Sequence, residues 1–230
     1  MSGTTVRDAE VAKFDRLADR WWDPNGPMKP LHRMNPARIA WVEALLPAGC
    51  RVLDVGCGAG LAAEALARRG FDVLGIDAAG GAIEAAQAHA DGQGLRLEYQ
   101  ATTAEALAEA GARFPAVISL EVVEHVADPG VFVRTLAGLL EPGGILVMST
   151  LNRTPRSWLT AKLGAEYVLR LLPVGTHDWR QFITPVELAG MMRASGLRVT
   201  QTAGLLMDPL SGKWRTGQDT RVNYLMAAVS

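Results

Sequence analysis

The run Val52-Leu53-Asp54-Val55 passes directly into Gly56-Cys57-Gly58-Ala59-Gly60 and then into an alanine-rich stretch, Leu61 to Arg69. Glycine at every second position lets the chain take positive φ and lets a ligand approach bare backbone. Strand, glycine turn and helix in that order form the opening unit of a parallel sheet, whose neighbouring strands need a crossover helix between them. The unit recurs. Strands are predicted at Arg51–Val55, Phe71–Ile76, Leu95–Tyr99, Ala116–Leu120 and Ile145–Thr150. Helices are predicted at Leu61–Arg69, near Ala82–Ala90 and at Val131–Leu140, the last ended by Pro142-Gly143-Gly144. Leu197–Leu206 and Asn223–Val229 read as two more strands, an antiparallel edge pair. The fold class is therefore α/β, a doubly wound, mostly parallel seven-stranded sheet covered by helices on both faces.

The chain of 230 residues has room for one sizeable core, so a single domain spans 1–230. Residues 1–48 form an N-terminal helical cap. The apolar positions Val11, Phe14, Leu17, Ala18 and Trp21 give one helix over 8–22, and Asn35-Pro36 opens a second toward Leu46. Residues 49–151 are the ligand-binding core, 152–183 an insert, and 184–230 a C-terminal helix and strands. Thr184-Pro185-Val186-Glu187 supplies an N-cap and a proline at the first helical position.

Formal net charge is -1, with 23 Lys+Arg against 24 Asp+Glu, which gives no global attraction to nucleic acid. Neither a signal peptide nor a membrane-length apolar run is visible. Cys50 and Cys57 stand at opposite ends of a strand rising about 3.3 Å per residue, too far apart to bridge. Free thiols fit a reducing compartment. The expected location is the cytoplasm, or an equivalent organelle matrix.

Asp77 ends the next predicted strand, 21 positions after Gly56. That places a carboxylate at the neighbouring strand tip, where it can accept hydrogen bonds from both hydroxyls of a ribose. A dinucleotide site is disfavoured on two counts. The glycines run G-x-G-x-G rather than G-x-G-x-x-G, and Asp54 precedes them. A carboxylate there repels a pyrophosphate but suits a ligand carrying an ammonium and a sulfonium. The loop resembles the first motif of class I methyltransferases, Rossmann-like enzymes, and Asp77 resembles their ribose-binding acid.

Further stretches resemble one family, the ubiquinone biosynthesis O-methyltransferases. They are Arg20-Trp21-Trp22-Asp23, Lys29-Pro30-Leu31-His32-Arg33, Asn35-Pro36-Ala37-Arg38, Glu121-Val122-Val123-Glu124-His125-Val126, Ser149-Thr150-Leu151-Asn152-Arg153 and Gly175-Thr176-His177-Asp178. The resemblance runs from about Ala12 to the end. It implies methyl transfer to a hydroxyl of a polyprenylated catechol or hydroquinone, at both O-methylation steps of ubiquinone synthesis. It also implies S-adenosylmethionine contacts at Arg38, Gly56, Asp77 and Leu120.

Glu121, Glu124 and His125 follow the fourth strand at the edge where α/β sheets bind ligands. Their i, i+3, i+4 spacing puts all three on one side of a helical turn. Together with the resemblance this marks them as ligands for a divalent cation, Mg²⁺ or similar, that would stabilise a phenolate whose pKa is otherwise near ~10. Without a metal, His125 is the general base and Glu121 or Glu124 orients it. His89 reads as a surface residue, His177 as a loop residue, His32 as either loop packing or substrate contact, and Trp21, Trp22 and Trp41 as packing.

Three functions compete: the O-methyltransferase, on this or another small catechol-like acceptor; a nicotinamide oxidoreductase; and a non-catalytic cofactor-binding subunit of a biosynthetic complex. A prenylated substrate stays in a bilayer, so the chain must visit the membrane surface. Between Arg153 and Ile183 lie Arg153, Arg156, Lys162, Arg170 and Arg180 against Glu166 and Asp178, interleaved with Trp158, Leu159, Leu163, Tyr167, Leu171 and Leu172. Such a basic amphipathic insert suits peripheral contact with an anionic inner membrane, or roofs the active site.

Overall fold

The computed structural model describes residues 4–158, 179–208 and 210–230. Eight strands form one sheet in the order β3-β2-β1-β4-β5-β8-β6-β7. They are β1 (Arg51–Val55), β2 (Asp72–Asp77), β3 (Leu97–Ala101), β4 (Phe114–Leu120), β5 (Leu140–Leu151), β6 (Arg198–Met207), β7 (Trp214–Gly217) and β8 (Asn223–Val229). The first five run parallel, and β8 enters antiparallel between β5 and β6. The doubly wound α/β expectation matches this sheet, with one strand more than expected. The extra strand, β7, is a four-residue edge segment antiparallel to β6. Trp-Arg-Thr-Gly is too short to carry an alternating pattern, so its strand character comes from pairing.

The tail strands do pair antiparallel, but β8 lies inside the sheet, with its first six residues all buried. The Pro142-Gly143-Gly144 segment belongs to β5 rather than separating helix from strand. It makes a register shift against Phe114 and Ala116, so that β5 begins at Leu140.

Two apolar layers flank the sheet. On one face, α2 (Lys29–Glu43), α3 (Leu61–Ala67) and α4 (Gly80–Ala90) bury Ile39, Val42, Leu66 and Ile83 against Val52, Ile118 and Val147. On the other, α5 (Ala104–Glu109), α6 (Pro129–Gly138) and α7 (Pro185–Ala194) bury Phe132, Leu136, Leu188 and Met192 against Leu53, Val117 and Met148. Residues adjacent along a strand thus feed opposite layers, as a doubly covered sheet requires. Thr184 caps α7 as expected, and Glu187 bonds back to it to complete a capping box.

The N-terminal region departs from the sequence reading. Its first helix, α1 (Asp8–Asp15), stops early and gives way to a 3₁₀ turn at Ala18–Arg20. The next helix, α2, begins at Lys29 and runs through Pro36. Pro30 occupies the first turn, where a missing N–H costs nothing, so it is the initiating proline. Asn35 does not cap a helix; its side-chain amide donates to the carbonyl of Leu61 at 2.8 Å and fastens α2 to α3. Cys50 and Cys57 are both free thiols. No helix among the described residues is long and apolar enough to cross a membrane.

Candidate active site

The carboxyl ends of β1, β2 and β4 meet at the glycine loop. Gly56 and Cys57 donate to the carbonyl of Ile76 at 2.8 and 3.0 Å, locking the turn to the end of β2. Asp77 accepts from the Gly58 amide at 2.9 Å and from the Ala79 amide at 2.8 Å. Its carboxylate therefore ties the loops after β1 and β2 together. Burial is the main cause that raises its pKa, opposed by those amides.

Asp54 lies beneath the loop, 1% exposed, with Oδ2 buried and unpartnered. Burial pushes its pKa from 3.8 to about 7, against the pull of Arg38. Arg38 is 3% exposed; its Nε donates to the Asn35 side chain at 2.8 Å, and its Nη1 is buried without a partner. Desolvation lowers its pKa, while Glu121 and then Asp54 support the cation. An unsatisfied guanidinium N–H beside an unsatisfied carboxylate oxygen costs stability unless a ligand supplies the complementary groups. The amino-acid end of S-adenosylmethionine, an anion and a cation on one carbon, fits both. Gly58, at φ 54°, has the Trp21 ring where a Cβ would stand, 2.2 Å from that point. Leu120 ends β4, 8% exposed.

The three residues after β4 are not gathered into a metal site. Glu121 takes a left-handed φ of 60°, and the chain continues as a turn instead of the expected helical turn. Glu121 accepts from Ser149 Oγ at 2.6 Å and from Asn223 Nδ2 at 3.1 Å. Glu124 accepts from Thr150 Oγ1 at 2.8 Å. Ser149 and Thr150 are successive residues of β5, so their side chains leave the sheet on opposite faces and draw the two carboxylates apart. His125 turns elsewhere again, its Nδ1 3.0 Å from Glu10 Oε2 of α1 and its ring edge-on to Phe14. Among the described residues, no three His, Cys, Asp or Glu side chains are placed to hold a cation. The three side chains expected to hold a divalent cation, Glu121, Glu124 and His125, thus point to separate partners, and it is Glu10 rather than Glu121 or Glu124 that meets His125. A partner 115 positions upstream leaves no local signal in the sequence.

Glu124, 4% exposed, has its pKa raised by burial and then by Glu121. It lines a cavity of about 630 Å³ with Val126, Phe182, Ile183 and Met191, and with Arg153 at the edge of the insert. His177 and the insert residues Lys162, Arg170, Leu159, Leu163, Tyr167, Leu171 and Leu172 lie outside the described residues.

A methyltransferase-domain family model matches residues 14–202. The ubiquinone biosynthesis O-methyltransferase of Azorhizobium caulinodans is 49% identical over 98% of this chain and 94% of its own length. That of Cereibacter sphaeroides is 46% identical over 99% of this chain and 98% of its own. The chain belongs to the ubiquinone biosynthesis O-methyltransferase family. Solved methyltransferases share the fold of this family member. One from Thermotoga maritima superposes with a TM-score of 0.68 at 18% identity, over 96% of this chain and 98% of the other. The magnesium protoporphyrin IX methyltransferase of Synechocystis PCC 6803, solved with bound S-adenosylhomocysteine, gives 0.67 at 21% identity, covering 97% of each.

The raised pKa values of this methyltransferase set a pH dependence. Above about pH 4 the unfolded chain has lost a proton that folded Asp54 still holds, so stability falls as pH rises toward about 7. Asp77 and Glu124 act in the same direction. Asp54→Asn should gain stability over the wild type progressively across this interval, measured by urea unfolding without ligand; a constant difference would remove Asp54 as the source.

Proposed function

We propose that this chain transfers the methyl group of S-adenosylmethionine to a ring hydroxyl of a polyprenylated catechol or hydroquinone, serving both O-methylations of ubiquinone synthesis. The observation that carries the cofactor assignment is the pair of buried unsatisfied atoms, Arg38 Nη1 and Asp54 Oδ2, beside the glycine loop. Arg38 would hold the α-carboxylate and Asp54 the ammonium. Asp77 would take the ribose hydroxyls on the lone pairs left by its two backbone amides, with Gly56 and Leu120 as backbone and apolar walls. Relatives named ubiquinone biosynthesis O-methyltransferase, at 45–49% identity, support the acceptor class.

S-adenosylmethionine, held by Arg38, Asp54 and Asp77, would supply a methyl on a sulfonium, the S–C bond to it breaking as the bond to the ring oxygen forms. The hydroxyl proton goes to His125, whose Nδ1 contact with Glu10 fixes the ring for proton transfer. Positioning supplies much of the remaining rate. The cavity beside Glu124, where Val126, Phe182, Ile183 and Met191 stand among Arg7, Arg153, Arg180, Gln181 and Glu187, has room for the start of a prenyl chain.

A second reading keeps a divalent cation at Glu121 and Glu124, whose side chains would turn from Ser149 and Thr150 to hold it and whose repulsion, which helps raise Glu124, it would relieve. His125 could join only by leaving Glu10. Extensive chelation separates the two readings. Turnover on a short-chain catechol should persist in EDTA while Glu10→Gln lowers it, if His125 is the base. Loss of turnover with cofactor binding intact would install the cation instead.

Asp77→Ala should weaken S-adenosylmethionine binding by about 1.5–3 kcal/mol per charged hydrogen bond lost. Calorimetry showing unchanged affinity would take Asp77 out of the site.

The acceptor's tail gains roughly 0.8 kcal/mol per buried CH₂, which keeps it in a bilayer. Trp158, 46% exposed at the start of the insert, and the basic side chains that follow it favour docking on an anionic surface. Sedimentation with anionic liposomes should show salt-sensitive binding, reduced in Lys162→Glu/Arg170→Glu, which should still methylate a short-tailed acceptor. Equal binding by the variant at low salt would leave the insert as a roof alone.

A further inference from the structure

We propose that His89 is a positioning residue for the cofactor, setting the glycine loop through its stack on Trp22. His89 sits near the end of α4, away from Asp54 and Arg38, and its sequence context marks it as surface. Its surroundings are different. Glu64 of α3 is buried, its side chain 2% exposed, and a carboxylate so placed needs close partners. Arg68 Nη2 lies 2.9 Å from Glu64 Oε2, and His89 Nδ1 lies 2.6 Å from Oε1. That contact fixes the rotation of the imidazole.

The face of the imidazole lies parallel to the Trp22 indole, with centroids 3.4 Å apart and an interplanar angle of 3°. Trp22 Nε1 donates to the carbonyl of Ala59, inside the glycine loop, at 2.9 Å. The neighbouring Trp21 packs directly on Gly58, the residue whose amide Asp77 holds. His32 completes the clasp, its Nε2 2.8 Å from the Trp21 carbonyl and its ring edge-on to Trp22 at 6.0 Å.

The glycine loop is therefore gripped from two sides. Asp77 holds it from the sheet, and Trp21 and Trp22 hold it from the N-terminal segment. A glycine-rich turn has many accessible conformations, so a ligand that uses its backbone gains affinity when the turn is already set. Glu64 orients His89, His89 orients Trp22, and Trp22 fixes Ala59. Each side chain in this relay touches the next. A histidine on α4 thus acts on the glycine loop through Trp22.

The inference rests on S-adenosylmethionine being the cofactor. Calorimetry with S-adenosylhomocysteine on wild type, His89→Ala, Trp22→Ala and the double variant tests it. Each single change should weaken binding by about tenfold, the loss of one aromatic stack with its hydrogen bond. The double variant should lose little more than Trp22→Ala alone, because residues acting as one unit are not additive. His89→Phe, which keeps the ring but loses the contact with Glu64, should recover only part of the affinity. The cofactor KM should rise with the Kd, while the acceptor KM changes less than about twofold. Unchanged or tighter binding in His89→Ala, or additive losses in the double variant, overturns the proposal. So does a drop in melting temperature without a change in affinity, which is what a structural role alone would produce. A wild type that does not bind S-adenosylhomocysteine defeats the cofactor assignment instead, so the two failures are distinguishable.

Discussion

A carboxylate that accepts two backbone amides from different loops restrains both at once. Asp77 does this for Gly58 and Ala79, and the carboxyl edge of the sheet is organised around it. The loop after β1 cannot drift from the start of α4 without breaking one of these charge-assisted bonds, which are stronger than ordinary peptide hydrogen bonds. Because the loop stays in place, Asp54 and Arg38 remain beneath it, buried and incompletely satisfied. That strain is characteristic of a binding site: polar groups are held out of water in advance, so that a ligand rather than solvent completes them.

The N-terminal segment does more than cover an apolar face. It reaches four successive loops of the sheet edge. Thr5 bonds Glu105 after β3, Glu10 meets His125 after β4, Asp15 accepts from Gly81 after β2, and Trp22 donates to Ala59 after β1. None of these contacts is apolar, and each is short and directional. They register the segment against the site instead of merely burying it. The end of α1 at Asp15 fits this registration: a longer helix would carry Trp22 away from Ala59.

The division of Glu121 from Glu124 has the same origin as the two cores. Alternation along β5 sends Val147 and Ser149 to the layer of α2–α4, and Met148 and Thr150 to the layer of α6 and α7. Each glutamate follows its hydroxyl partner, Glu121 toward Arg38 and Glu124 toward the cavity under Ile183. Three chemically suitable side chains within five residues thereby acquire three environments. Helical spacing alone would have put them together, but the left-handed φ of Glu121 breaks the spacing rule at its first residue.

The alternating pattern, the glycine loop and the acid closing β2 were sufficient for the parallel core of the sheet and for the meeting of that loop with Asp77, because those features depend on residues near one another in sequence. Period-two and helical patterns, glycine punctuation and the 21-residue spacing from Gly56 to Asp77 are all local. Motif stretches such as Arg20-Trp21-Trp22-Asp23 also marked the family, although they did not reveal what the tryptophans touch. Tertiary structure alone decided the fourth-strand cluster and the clasp on the loop. His125 finds Glu10, and His89 finds Glu64 and Trp22, across separations of 115, 25 and 67 residues. β7 likewise became a strand through its pairing with β6. A side chain's chemistry is written in its own residue, but its partner is set by where the folded backbone brings a second one, and no period in the sequence encodes that distance.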